Sequence, residues 1–97
     1  MLILQTVSRT GRLHGFEIAE AIQSRSDDVL QVEEGSLYPA LQRLLLKDWI
    51  HGEWGKTAEN RRARYYTITP SGKEQLSREL DQYQQTSLAI RKVIQPA

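Results

Sequence analysis

The stretch Gly35-Ser36-Leu37-Tyr38-Pro39-Ala40-Leu41, continued by Arg43-Leu44 and later by Trp49-Ile50, decides how this chain is read. Proline lacks an amide hydrogen and its ring clashes with the carbonyl four residues back, so it is tolerated in the first turn of a helix and not beyond. Pro39 therefore predicts a helix that begins near Gly35 or Ser36. From that start Leu37, Ala40, Leu41, Leu44 and Leu45 recur at helical spacing on one side, while Tyr38, Gln42, Arg43 and Lys47 take the flanks and the far side. One face fills a core, the other carries hydrogen-bonding groups, and the helix feeds directly into a strand.

Upstream, Leu2, Ile3, Leu4 and Val7 read as the tail of a first helix that stops near Gly11, with Arg9 and Arg12 close to its negative end. The sequence opens as though already inside that helix. A second helix is expected from about Gly15 to Ser24, with Phe16 near its entry and Ile18, Ala19 and Ile22 on a narrow apolar face. The connection from Ser26 to Gln31 is longer than the simplest helix-turn-helix joint. Val29, Leu30 and Val32 around it are expected to be partly buried, on irregular or briefly extended backbone.

Downstream, residues 49–54 and 62–69 are rich in aromatic and β-branched residues, and the polar run from Gly55 to Asn60 lies between them. Together they predict an antiparallel hairpin. Its loop exceeds the favoured two-residue turn, so a mobile tip is expected. Alternation puts Arg62, Arg64, Tyr66 and Ile68 on one side, buried at the inner end and free at the outer. Both tryptophans, Trp49 and Trp54, are read as core at the base of this wing.

Thr69-Pro70 supplies an N-cap followed by proline at the first helical position, with Ser71 and Glu74 also spaced as a capping box. Along the helix that follows, Leu76, Leu80, Tyr83, Ser87, Ile90 and Ile94 alternate steps of four and three, the seam of a helix that packs lengthwise on another. Run to Ile94 it would span about 37 Å at 1.5 Å per residue. A body of this size cannot cover it, so the seam is expected to close against a second copy.

Ninety-seven residues without a cysteine fit one small soluble unit, exclude disulfide and thiolate metal sites, and are compatible with a reducing cytoplasm. No apolar run approaches the roughly 20 residues that span a bilayer, and the N-terminus lacks the basic flank of a signal peptide. The formal net charge is only +1. Its distribution says more: Lys56, Arg61, Arg62, Arg64 and Lys73 face Glu59 alone along the hairpin, while Asp27, Asp28, Glu33 and Glu34 gather ahead of the third helix.

The order helix, helix, helix, two-stranded wing, long final helix predicts a mainly α winged helix-turn-helix fold, residues 1–70, with a dimerisation helix over 71–97. His14-Gly15-Phe16-Glu17-Ile18, Gly35 to Leu41, Arg43-Leu44, Trp49-Ile50 and Tyr66-Thr67-Ile68-Thr69-Pro70-Ser71-Gly72 resemble, in this order and spacing, the signature of PadR-like transcriptional regulators, from about Leu2 to Leu76. The resemblance implies a cytoplasmic homodimer, held by C-terminal helices, that binds a pseudo-palindromic operator in double-stranded DNA and usually represses transcription. It also implies a third helix in the major groove, so Ser36, Tyr38, Pro39, Gln42 and Arg43 become its exposed positions, with Lys47 at its end. The wing matches at Lys56, Arg61, Arg62 and Arg64. The final helix is short and carries no tryptophan, unlike members that trap flat drugs between dimer tryptophans, so that pocket is not expected.

In such a site phosphates supply affinity and base edges supply sequence choice. The wing cations would approach the backbone or a minor groove, Arg43 would pair with guanine and Gln42 with adenine, and the hydroxyls of Tyr38 and Ser36 would reach phosphates. Packing on the second helix is the competing role for Tyr38. Glu33 and Glu34 suit the positive helix end and would repel a phosphate. A small-molecule effector, of no identifiable chemistry, would act by shifting the seam. Neither His14 nor His51 has ligand spacing with a second histidine, and there is no Gly-rich phosphate loop or nucleophile elbow, so neither catalysis, metal nor cofactor is expected. The rival reading is a winged-helix module that binds protein rather than DNA.

Overall fold

A computed structural model describes residues 1–96. The elements run α1 (Leu2–Thr10), β1 (Leu13–His14), α2 (Gly15–Arg25), α3 (Glu34–Leu46), β2 (Ile50–Lys56), β3 (Arg62–Ile68) and α4 (Pro70–Ile94). The core gathers Leu4 and Val7 of α1, Ile18 and Ile22 of α2, Leu37 and Leu41 of α3, Leu13, Ile50 and Tyr66 of the sheet, and Leu76 of α4. Every element contributes, so the first two turns of α4 are part of the body and Leu76 is filled by its own chain. Beyond Leu80 the helix stands clear. The molecule measures 58 × 29 × 22 Å with a radius of gyration of 15.5 Å, against about 12.5 Å for a compact chain of this length.

The sheet has three strands where the hairpin reading expected two. Leu13 pairs with Tyr66 and His14 with Tyr65, giving the order β1-β3-β2. Two residues are too few to leave a period-two pattern in sequence, and Gly11 just ahead, at φ 95°, lets the chain turn from α1 into the strand. His14 then ends the strand and caps α2: its Nδ1 accepts from the Glu17 amide at 3.3 Å while its own amide donates to Glu17 Oε1 at 3.0 Å.

α3 begins at Glu34, with Glu33 as N-cap, so Pro39 is its sixth residue and lies past the first turn. The expected start at Gly35 or Ser36 was set by proline's missing donor. That donor would have met the carbonyl of Gly35, a solvent-exposed residue, so the missing bond costs little there. The connection from 26 to 33 also departs from expectation. Asp27 and Asp28 both adopt left-handed backbone, and the Ser26 hydroxyl donates to the Gln23 carbonyl and accepts from the Leu30 amide, both at 3.0 Å. This self-bonded turn leaves Val29 and Leu30 exposed, and only Val32 packs against the core.

At the wing tip the Thr57 amide donates to the Arg61 carbonyl at 2.8 Å, the Asn60 amide to the Thr57 carbonyl at 2.9 Å, and Asn60 takes left-handed backbone. The tip is closed more firmly than its length implies. At the other end of the hairpin the turn after α3 meets the start of α4. The Thr69 hydroxyl donates to the Asp48 carbonyl at 2.6 Å and accepts from the Gly72 amide at 2.9 Å, and the Thr69 amide donates to the Trp49 carbonyl at 3.0 Å. Thr69, and not Ser71, is thus the cap of α4. Gly72 is required by this joint, because a Cβ there would collide with the Trp49 carbonyl.

Candidate nucleic-acid interface

Successive residues of a helix are 100° apart, so the buried Leu37 and Leu41, with the half-buried Leu44 and Leu45, fix what α3 turns outward. Ser36, Tyr38, Pro39, Gln42, Arg43 and Lys47 are all exposed, but they do not form one patch. Tyr38 and Arg43 lie roughly 140° apart around the helix. Ser36, Arg43 and Lys47 line a groove shared with Leu2, Trp49 and Glu79, on the α1 side. Tyr38 lines the opposite groove, between α2 and the wing. Pro39 stands between them, with Leu46, 78% exposed, one apolar residue that the sequence reading left out.

Tyr38 packs on the second helix and still keeps much of its surface in solvent. Its ring lies on α2 at Gly15, where a Cβ would come within 3.3 Å of Cε1, and the residue is still 52% exposed. Lys47, at the C-cap of α3, rests its ammonium 4.7 Å from the centre of the Trp49 ring, and Trp49 is half-buried against the core as expected.

Across the groove from Tyr38, strand register sorts the wing into two faces. Ile50, Gly52, Trp54 and Lys56 oppose Ile68, Tyr66, Arg64 and Arg62. The inner end of this face is core, and the face is the one covered by the helices; its outer end overhangs the groove. Arg61, Arg62 and Arg64 line that groove together with Phe16 and Tyr38. Lys56, Arg61 and Arg62 are exposed, whereas Arg64 is half-buried and its Nε meets no acceptor among the described residues. Its guanidinium lies along the sheet over Gly52. Burial pushes the Tyr66 phenol above its ordinary value; the nearby Arg64 cation opposes that shift and Tyr38 adds to it. Trp54, read as core, is instead 60% exposed: it lines the groove, and its ring meets the Arg62 and Arg64 guanidiniums in place of a core neighbour.

The second face holds His51, Glu53, Gly55, Tyr65 and Arg12. The Arg12 guanidinium sits 3.9 Å from the centre of the Tyr65 ring and 4.0 Å from Glu53 Oε2. Tyr65 in turn donates its hydroxyl to the Lys56 carbonyl at 3.2 Å. Neither Arg62 nor Arg64 has a carboxylate within 4.0 Å among the described residues.

On α4, Leu80 packs against the core and Ser87 is half-buried, while Tyr83, Ile90 and Ile94 are 57%, 53% and 72% exposed. The seam from Leu76 to Ile94 occupies roughly 80° of arc, so these three side chains form one open apolar stripe. Leu88 and Val93 are exposed beside it. Among the described residues no helix is long and apolar enough to cross a membrane, and no group of three His, Asp or Glu residues is placed to hold a metal ion.

Comparison with known proteins matches this architecture. The chain is 34% identical, over 78% of its length and 69% of the relative's, to an uncharacterised protein of Lysinibacillus sphaericus. Among solved structures it is similar to a transcriptional regulator from Clostridium thermocellum, with a TM-score of 0.87 and 28% identity over 97% of this chain and 90% of that one. It is also similar to Bacillus subtilis PadR in complex with operator DNA, with a TM-score of 0.70 and 25% identity over 81% of this chain and 44% of that one. Residues 3–78 match the model of the transcriptional regulator PadR-like family, and the chain belongs to that family.

Proposed function

We propose that this chain, a DNA-binding transcriptional regulator by family, works as a cytoplasmic repressor that grips a pseudo-palindromic operator as a homodimer. The observation that carries the DNA contact is the groove in which Tyr38 of α3 faces Arg61, Arg62 and Arg64; Glu17, Glu20 and Glu59 also line it, but none of the three arginines has a carboxylate within 4.0 Å among the described residues. A phosphate backbone following that groove would meet the Tyr38 hydroxyl on one wall and the guanidiniums on the other, with Lys56 further out on the wing. The outer surface of α3 then enters the major groove. Ser36, Pro39 and Leu46 lie against the bases or the sugar edge, Gln42 reads adenine from the wing side and Arg43 reads guanine from the α1 side, with Lys47 on the flanking phosphate. The carboxylates of Glu33 and Glu34 stabilise the helix start by the dipole and turn aside from the strand.

Two copies pair through Leu80, Tyr83, Ser87, Ile90 and Ile94. The open stripe on a helix that stands clear of its own body supports this reading. A two-fold axis then sets the half-sites about 10 base pairs apart or a multiple of that. A small-molecule effector, if the cell supplies one, acts by changing how the two stripes cross.

The test is a titration with random-sequence duplex at low and high salt, followed by footprinting on the chain's own upstream region. Binding that collapses as salt rises supports the reading, and no binding even at low ionic strength replaces it with a protein-binding module. Arg43→Ala is expected to relax base preference at one position of each half-site, at a cost of about 1–3 kcal/mol on the preferred sequence. An unchanged preference removes Arg43 from the reading surface.

A further inference from the structure

Trp54 is the most exposed large aromatic of the wing, and the core makes no use of it. Its ring is nonetheless occupied. The Arg62 guanidinium carbon lies 4.4 Å from the ring centre and that of Arg64 5.9 Å. Strand register explains both distances: Trp54 is directly opposite Arg64, and Arg62, opposite Lys56, is its diagonal neighbour on the same face.

Gly52, two residues inward on that face, completes the arrangement. A Cβ there would come within 2.5 Å of Arg64 Nε and 3.0 Å of its Cζ, so the missing side chain is the slot in which the guanidinium lies. Two cations held on one indole, with no carboxylate within 4.0 Å of either among the described residues, repel each other and leave an apolar ring in water. Stacks at such exposed sites are weak, so the arrangement is a poor device for holding the fold together. What it does is remove freedom. A long guanidinium side chain surrenders its rotamers when it binds a phosphate, and one that already rests on a ring has surrendered them beforehand.

We propose that Trp54 is a positioning residue for the wing's DNA contact: with Gly52 it holds Arg62 and Arg64 in fixed register, so that the wing meets the phosphate backbone with two pre-ordered cations. This deepens the DNA-binding reading and rests on it. The indole acts through the arginines and does not itself touch the nucleic acid.

Two arms test it on the whole chain. In the free protein, ring current from Trp54 shifts the Arg62 δ-methylene and Nε–H resonances upfield, and Trp54→Leu returns them to ordinary positions. On random-sequence duplex, Trp54→Leu weakens binding about two- to fivefold at every salt concentration with the salt slope unchanged, since no phosphate contact is lost, whereas Arg62→Ala lowers the slope by about one. Trp54→Phe restores part of the affinity. In an Arg62→Ala, Arg64→Ala background, Trp54→Leu costs nothing more. If it costs the same factor there, the indole contacts DNA directly and the positioning role is overturned. Arg62 resonances that ignore Trp54, or affinity that ignores Trp54→Leu while the wild type binds, overturn it as well. A wild type that binds no duplex at low salt, with the ring-current shifts intact, shows instead that the DNA reading has failed and takes the proposal with it.

Discussion

The two faces of the wing solve the same packing problem and come out with different charge. On each, a guanidinium lies on an aromatic ring in a space that a glycine leaves open: Arg12 on Tyr65 over Gly55, Arg64 beside Trp54 over Gly52. On the Arg12 face Glu53 sits alongside and cancels the charge. On the Trp54 face no carboxylate lies within 4.0 Å of Arg62 or Arg64 among the described residues. On the proposed DNA reading, arginines near the wing are not interchangeable donors to a phosphate; one whose charge is matched inside the protein would brace the sheet, and those left unmatched would remain available. Counting basic residues in the hairpin hides this division, because it is made by neighbours across strands.

The largest expected effect separates the faces directly. Removing both Arg62 and Arg64 to alanine lowers DNA affinity about a hundredfold near 0.1 M salt and cuts the salt slope by about two, since each lost phosphate contact costs about tenfold there. Arg12→Ala leaves that slope where it was. A slope that falls equally for Arg12→Ala erases the distinction between the faces.

The two glycines give the next sharpest contrast. In Gly55→Ala the added carbon comes within 3.1 Å of the Tyr65 ring and 2.9 Å of Arg12 Nη2. A rigid ring cannot swing away, so a loss of about 1–3 kcal/mol in urea unfolding is expected with little change in DNA affinity. Gly52→Ala meets only the far part of a flexible side chain, which can move aside. There melting changes little and affinity drops severalfold. The reverse pairing would mean that Arg64 braces the sheet and Arg12 binds.

A smaller effect is expected from Arg12→Ala on stability alone, a loss of about 0.5–1 kcal/mol for a stack at an exposed site, read from denaturant midpoints. The smallest concerns the inner end of the Trp54 face. Burial raises the Tyr66 phenol above its ordinary value of 10.0, so the stability due to its neutral form is complete below that value and is lost as pH rises through the higher folded one. Tyr66→Phe should flatten this alkaline decline in denaturant midpoints, and a decline of unchanged steepness would assign it to other groups.

Much of this was legible from sequence where one strong local constraint acts. Thr69-Pro70 marked the start of α4, His14 and Glu17 lie where a cap belongs, and the apolar spacing of Leu37, Leu41 and Leu44 fixed the inward side of α3. What escaped depended on partners distant in sequence. β1 exists because Tyr66 offers an edge to Leu13, and its two residues carry no pattern of their own. The start of α3 escaped because an exposed Gly35 carbonyl makes a proline at the sixth position cheap. Trp54 was read as core from its place at the base of the wing, and only the register that sets it across from Arg64, on the outer part of the hairpin, shows why it lies outside. The candidate site was legible as residue types and hidden as an arrangement: Tyr38 and Arg43, five residues apart, belong to different grooves.

The joint at Thr69 has a mechanical result. It fastens the exit of α3 to the root of α4 through Asp48, Trp49 and Gly72, with no slack linker between them. Tail and reading head are therefore cast in one piece, like the arm and jaw of calipers. In the proposed dimer, whatever angle two tails adopt would be delivered undamped to the gap between the jaws, so the span of DNA that a pair straddles would be geared to how its handles cross.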